Sequence, residues 1–260
     1  MRSILVHAED SPAGSARVES ALSLARATDG HVTLLVDTPV SRFIAVDAMG
    51  GGTVATEALK EELANDDRYA AAIDVRMARQ DVPCDVVRTE GEPIDAFKDA
   101  ARLVDVVVLG RRDALAGDLP LAIRAPVLAV NDAAVLTFPL SRVAVAWDGS
   151  SEAAYALRCA VPLLAKCAEV TVLTVADAPE GYPATDAVTY LSRHGIKAEQ
   201  HMLQRIGAIE ETLARELVML DSELLVMGAF KHSRLREFLF GGVTRYFLED
   251  PGGPALLLAH

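Results

Sequence analysis

Toward its C-terminus the chain reads Met227-Gly228-Ala229-Phe230-Lys231-His232-Ser233-Arg234-Leu235-Arg236-Glu237-Phe238-Leu239-Phe240-Gly241-Gly242-Val243-Thr244-Arg245. A glycine that ends an apolar run, a connecting stretch, and a Gly-Gly pair that opens a helix make a cradle for phosphate. Glycine lets the backbone approach an anion closely, and a helix start offers unpaired N–H groups with a favourable dipole. Thr244 adds a hydroxyl, while Lys231, Arg234, Arg236 and Arg245 bring positive charge to an acidic chain. Asp148, within Trp147-Asp148-Gly149-Ser150, also follows an apolar run and reads as a turn residue bonded to the backbone after it.

Catalytic signatures are missing. There is no G-x-S-x-G elbow, no H-E-x-x-H, no G-x4-G-K-[ST] loop, and no G-x-G-x-x-G after either opening strand. His232 has no second metal ligand near it in sequence, and Arg234, Arg236 and Glu237 read as an ion-pair face. Cys159 and Cys167 would stand two helical turns apart, about 10 Å, too far to share a disulfide or a metal. With Cys84 they read as reduced, buried, small apolar residues, and no metal site is expected. Arg111 and Arg112 read as an exposed pair.

The elements that position these residues occur twice. Residues 3–11 (SILVHAEDS) and 142–150 (RVAVAWDGS) are short apolar runs ending in an acid and a serine. Each precedes a helix-period segment: Val18, Ala21, Leu22 and Ala25 share one face, as do Ala154, Leu157, Val161 and Leu164. Ser11 and Ser150 are the expected N-caps. Further paired runs are His31–Val36 with Val170–Val175, Val104–Gly110 with Ser222–Gly228, and Ala125–Val130 with Gly253–Leu258. Unalternated Val/Leu runs mean strands buried on both faces, hence parallel sheets covered by helices. Ser11 and Ser150 are 139 residues apart but Gly110 and Gly228 only 118, so the first copy holds about twenty extra residues. These fall within 37–80, where the Gly50-Gly51-Gly52 turn precedes a long helix from about Thr56. The boundary between copies falls near 131–141, at Pro139. An exposed last strand in each copy invites edge pairing with the other.

Composition agrees. The chain has 260 residues, 51% hydrophobic and 24% charged, with 25 Lys and Arg against 37 Asp and Glu, a net charge of −12. That excludes a disordered chain, a collagen-like fibre and a disulfide scaffold. The acidity argues against nucleic-acid and membrane partners, which need clustered cations. The opening residues reach acid too early for a signal peptide, and no run of about 18 apolar residues occurs. A soluble, cytoplasmic protein is expected.

The Asp148-Gly149-Ser150 turn, the Val170–Val175 strand and the run from Leu225 to Thr244 together resemble the universal stress protein family in its tandem, two-domain bacterial form. The resemblance implies an α/β fold of two doubly wound, Rossmann-like domains of the adenine nucleotide alpha hydrolase type. Each would have a five-stranded parallel sheet, and they would join through their last strands. The domains are expected at 1–135 and 140–260. Nucleotide-binding members carry Gly, two residues, Gly, nine residues, Gly, then Ser or Thr. Here Gly228 matches the first position and Gly241 the last glycine, but Lys231 replaces the middle glycine and Gly242 the hydroxyl, with Val243 and Thr244 following. The resemblance further puts Asp148 by the sugar or its metal, and Val175 and Ala176 near the base. The first copy departs further, with Glu9 at the acid's position and no second glycine cluster after Gly110. The implied function is a non-catalytic stress-response sensor binding ATP, with Mg, in the second domain. The alternatives are a nucleotide-free interaction module and a weak ATP hydrolase. The expected partners are adenine nucleotide, the other half of the chain in a pseudo-dimer, a second chain in a homodimer, and an unidentified protein.

Overall fold

A computed structural model describes residues 1–40, 52–176, 182–229 and 242–260. The first half runs β1 (Ser3–His7), α1 (Pro12–Thr28), β2 (His31–Thr38), α2 (Gly52–Met77), β3 (Cys84–Glu90), α3 (Pro93–Ala100), β4 (Val106–Gly110), α4 (Leu115–Ala122) and β5 (Val127–Val130). The second half repeats the order: β6 (Arg142–Ala146), α5 (Ser151–Leu164), β7 (Glu169–Val175), α6 (Ala184–Arg193), β8 (Ala198–Leu203), α7 (Ile209–Met219), β9 (Leu224–Gly228), α8 (Gly242–Glu249) and β10 (Ala255–Ala259).

The strands form one ten-stranded sheet in the order β3-β2-β1-β4-β5-β10-β9-β6-β7-β8. Within each half all pairs are parallel, and the halves meet where β5 and β10 pair antiparallel, Leu128 opposite Leu257. The expected two five-stranded sheets are therefore two halves of one, joined through their last strands. The antiparallel junction points the carboxyl ends of the two sets of strands to opposite ends of the sheet.

Burial explains the element boundaries. The central strands β4, β5 and β10 are buried at every residue, matching their unbroken apolar runs. The edge strands β3 and β8 are partly exposed along their length. One sheet face carries α1, α2, α5 and α6 over a single core crossing both halves. The other face splits into one cluster per half, Phe97 and Leu119 in the first, Leu213 and Phe247 in the second. Ser11 caps α1 by accepting from Gly14 N at 2.9 Å, and Ser150 caps α5 by accepting from Ala153 N at 3.1 Å. Val18, Ala21, Leu22 and Ala25 are all buried as the periodicity predicts. On α5 the expected face is rotated: Leu157 and Leu164 are buried, but Ala154 and Val161 are half-buried beside the buried Ala153, Ala156 and Ala160.

The stretch between β5 and β6 lies against α1, where Leu136 N and Phe138 N donate to the Ser20 and Ser23 hydroxyls, each at 2.9 Å. The three cysteines are free and half-buried rather than fully buried. Among the described residues no helix is long and apolar enough to cross a membrane.

Candidate functional site

In a doubly wound sheet, ligands bind beyond the carboxyl ends of the strands where the winding reverses. In the second half that point lies between β6 and β9, which pair directly. After β6, Trp147 is almost buried and donates from Nε1 to the carbonyl of Tyr182 at 2.8 Å. Asp148 accepts from Ser150 N at 3.0 Å and from Ser150 Oγ at 2.5 Å, forming the expected Asx turn. Gly149 then takes a positive φ of 74°, which glycine adopts without strain.

Gly228 ends β9 against the first turn of α5. A Cβ there would lie 2.6 Å from both Ala153 N and the Glu152 carbonyl carbon. This glycine serves close helix–strand packing, so Gly228→Ala is expected to cost about 1–3 kcal/mol as backbone is forced apart. Urea unfolding reads that cost, and an unchanged midpoint would mean that α5 yields freely.

The matching point in the first half is filled by charge. His7, at the end of β1, donates from Nδ1 to Asp113 Oδ2 at 2.5 Å, and its Nε2 lies 2.7 Å from Asp37 Oδ1 as an ion pair. Phe97 meets its ring edge-on, with centroids 5.4 Å apart. Burial pulls the His7 pKa down, but the hydrogen bonds and charges of Asp113 and Asp37 outweigh it and raise it to about 9. The ring is thus an imidazolium held between two carboxylates, with no lone pair for a metal or a proton. Arg17, 3% exposed, adds a guanidinium that donates to the His7 carbonyl at 3.1 Å and sits 3.5 Å from Asp113 and 3.4 Å from Glu9. A Cβ on Gly110 would lie 2.7 Å from Arg17 Nη2, so the guanidinium covers the end of β4.

The strand registers give the corresponding residues of the two halves. Ser3 pairs with His31 as Arg142 pairs with Glu169, and Ile4 pairs with Val106 as Val143 pairs with Leu224. His7 then corresponds to Ala146, Asp37 to Val175 and, by count along the chain, Asp113 to Lys231. Arg17, six residues after its cap, corresponds to Ala156. A small or neutral residue thus replaces three of the four charges in the second half.

Of the expected site residues, Asp148, Gly228 and Ala176 stand at the strand ends, and Gly242, Val243 and Thr244 open α8. The Val175 side chain is buried in the core with Leu213 and Leu217 rather than lining an opening, which leaves exposed Ala176 as the residue at that strand end. Thr244 is 3% exposed, so its hydroxyl lies inside α8's packing face. Arg245 pairs with Glu249 at 2.7 Å. Lys231, His232, Ser233, Arg234, Arg236, Glu237 and Gly241 lie outside the described residues.

Arg111 overturns its expectation as an exposed residue. It is 4% exposed and reaches across the junction, donating to the carbonyls of Phe247 (3.1 Å), Asp250, Gly253 (2.9 Å) and Pro254. Sequence reasoning also missed the His7 cluster, whose members come from four separate elements. Its trace in sequence is Arg17, a charge beside Val18 on the apolar face of α1. Among the described residues no group of three or more His, Cys, Asp or Glu is arranged to hold a metal ion.

Residues 139–257 match the model of the universal stress protein family. In overall structure the chain is similar to a universal stress protein from Archaeoglobus fulgidus DSM 4304 at 15% identity and a TM-score of 0.66, covering 99% of this chain and 96% of that one. It is also similar to a putative universal stress protein from Pseudomonas aeruginosa UCBPP-PA14 at 16% identity and a TM-score of 0.57, covering 100% and 93%. No curated protein matches the chain. Residues 139–257, from just before β6 into β10, are thus the part of the chain that matches the universal stress protein family.

Proposed function

We propose that this is a non-catalytic binding module in which the second half takes an adenine nucleotide, with Mg, beyond the ends of β6, β7 and β9. The first half is closed by its own side chains and carries no nucleotide. One observation supports this reading above the rest: His7, Arg17 and Asp37 fill the switch point of the first half, while Ala146, Ala156 and Val175 stand at the matching positions of the second. An imidazolium and a guanidinium tied into carboxylates occupy the space a ligand would need. The small neutral residues at the matching positions of the second half bring no charge of their own.

In this reading the amides of Gly242 and Val243 at the start of α8 face the phosphates, where an anion is favoured by the helix dipole. Lys231 and Gly241 belong to the same phosphate loop, Lys231 acting as a charge donor in place of a glycine. Asp148 stands nearest the sugar or its metal, and the backbone at Val175 and Ala176 nearest the base. Bound nucleotide supplies no reaction here; its charge and shape are what the module senses.

Ligand-stripped protein melted with and without Mg-ATP tests this directly. A ligand that binds only the native state raises stability by RT ln(1 + [L]/Kd), about 2.7 kcal/mol at a hundredfold excess over Kd. The midpoint is expected to rise in the wild type and to stay flat in Gly241→Val. A midpoint indifferent to several millimolar nucleotide, roughly the top of the useful range, would reject nucleotide binding and leave a nucleotide-free interaction module.

A further inference from the structure

A cavity of about 640 Å³ opens between the halves, far from the proposed nucleotide loop in sequence. It lies below the amino ends of β4 and β5, where Asp105 and Pro126 precede those strands, and against the flank of α5. Its volume is within the range of small-molecule sites, about 300–1,000 Å³.

The tandem architecture explains why the cavity is there. On α1, Ser20 and Ser23 stand nine and twelve residues after the capping Ser11, and their hydroxyls accept the amides of Leu136 and Phe138. The connection between halves thus covers that flank of α1. On α5 the residues nine and twelve after Ser150 are Cys159 and Pro162, and both line the cavity. Among the described residues no segment covers this second flank. Nor is it built to take an extended chain: the two hydroxyls that hold backbone amides on α1 have become a thiol and a proline, which offer no comparable acceptor.

What the flank offers instead is positive charge. Lys98 and Arg102 from the first half's α3 region, Arg124 before β5 and Arg158 on α5 all line the cavity. Four cations gather here in a chain with a net charge of −12. Lys98 and Arg102 are paired with Asp95 and Asp99 on their own segment, at 3.0 and 2.6 Å. Among the described residues no carboxylate pairs with Arg124 or Arg158. The one acid lining the cavity, Asp105, is already engaged, accepting from the amides of Arg2 at 2.5 Å and Ser3 at 3.1 Å. Between the cations the wall is apolar, with Ile123, Pro126 and the ring of Tyr155, whose hydroxyl donates to the Arg124 carbonyl at 2.7 Å and fixes the wall across the junction.

We infer that this cavity is a binding site for a small organic anion, a phosphate or carboxylate carried on an apolar ring. Arg124 of one half and Arg158 of the other hold the anion, and the ring lies on Ile123, Pro126 and Tyr155. Because the two arginines come from different halves, the ligand bridges the junction.

The probe is 1-naphthyl phosphate, titrated calorimetrically at low ionic strength against inorganic phosphate and 1-naphthol. One saturable site is expected for 1-naphthyl phosphate, with a Kd on the order of 0.1 mM, and at least about tenfold weaker binding for each partial probe. Arg124→Glu and Arg158→Glu should each weaken it at least about tenfold, or roughly 1.4 kcal/mol. Both positions are exposed, and unchanged melting temperatures verify that the variants fold. The inference is overturned by no saturation by about 5 mM, by equal binding of the charge-reversed variants, or by equal binding of either partial probe. Displacement of the probe by ATP together with its loss in Gly241→Val would also overturn it, by moving the probe to the nucleotide loop.

Discussion

Arg111→Met is expected to lower the stability of the whole chain by about 4 kcal/mol, the upper range for breaking a buried polar network. The guanidinium leaves the end of β4, crosses the antiparallel junction, and donates to four carbonyls of the second half. Two of these, Phe247 and Asp250, lie at the C-terminal end of α8, where orphan carbonyls and the negative end of the dipole favour a cation. The other two, Gly253 and Pro254, shape the turn into β10, the strand that pairs with β5. Met matches the length of the side chain but donates nothing, so four acceptors are left without this partner. Lys, a point charge on a flexible stem, cannot span a fork of four carbonyls and should recover less than half of the loss. Urea unfolding reads the effect, and a loss below about 1 kcal/mol would show that water replaces the guanidinium at little cost. Since α8 opens with Gly242-Val243-Thr244, the same variant should also weaken any nucleotide held at the other end of that helix.

Arg111 shows where sequence reasoning stops. The central strands were legible because a strand buried on both faces leaves an unbroken apolar run, as Val106–Leu109 and Leu256–Leu258 do. The caps were legible because Ser11 and Ser150 act within three residues of themselves. The edge strands β3 and β8 were not placed, since a strand exposed on one side, such as Ala198–Leu203 with two glutamate-like polar positions in Glu199 and Gln200, loses the apolar signal. Arg111 and Arg112 look alike in sequence. Only the third dimension shows that the first meets carbonyls 136 to 143 positions away, while the second stays at the surface. The His7 cluster is hidden for the same reason, its parts separated by up to 106 positions. Each residue alone reads as a polar strand end, and their chemistry exists only once β1, β2, β4 and α1 have assembled.

That cluster makes stability depend on alkaline pH. His7 is raised from 6.5 to about 9 on folding, so the folded state binds the proton more tightly than the unfolded one. Its contribution is fully present below about pH 6.5, declines above it, and is lost as pH rises through about 9. The full difference corresponds to about 3 kcal/mol. Asp113 works in the opposite sense: burial pushes its pKa up, but His7, the Leu115 amide and Arg17 outweigh that and lower it. Its contribution is present above the ordinary carboxylate pKa and is lost as pH falls through the lowered value. Between these limits the His7–Asp113 ion pair is intact. The unfolding free energy is therefore expected to fall by about 3 kcal/mol between pH 6.5 and 10, and His7→Gln should flatten that slope while lowering stability near neutrality. Gln keeps a donor for one carboxylate but leaves Asp37 and Asp113 close together without the charge between them. If wild type and His7→Gln declined in parallel across this range, the proton would not reside on His7. The first half would then be closed by Arg17 alone, and its switch point would open more readily than the paired imidazolium allows.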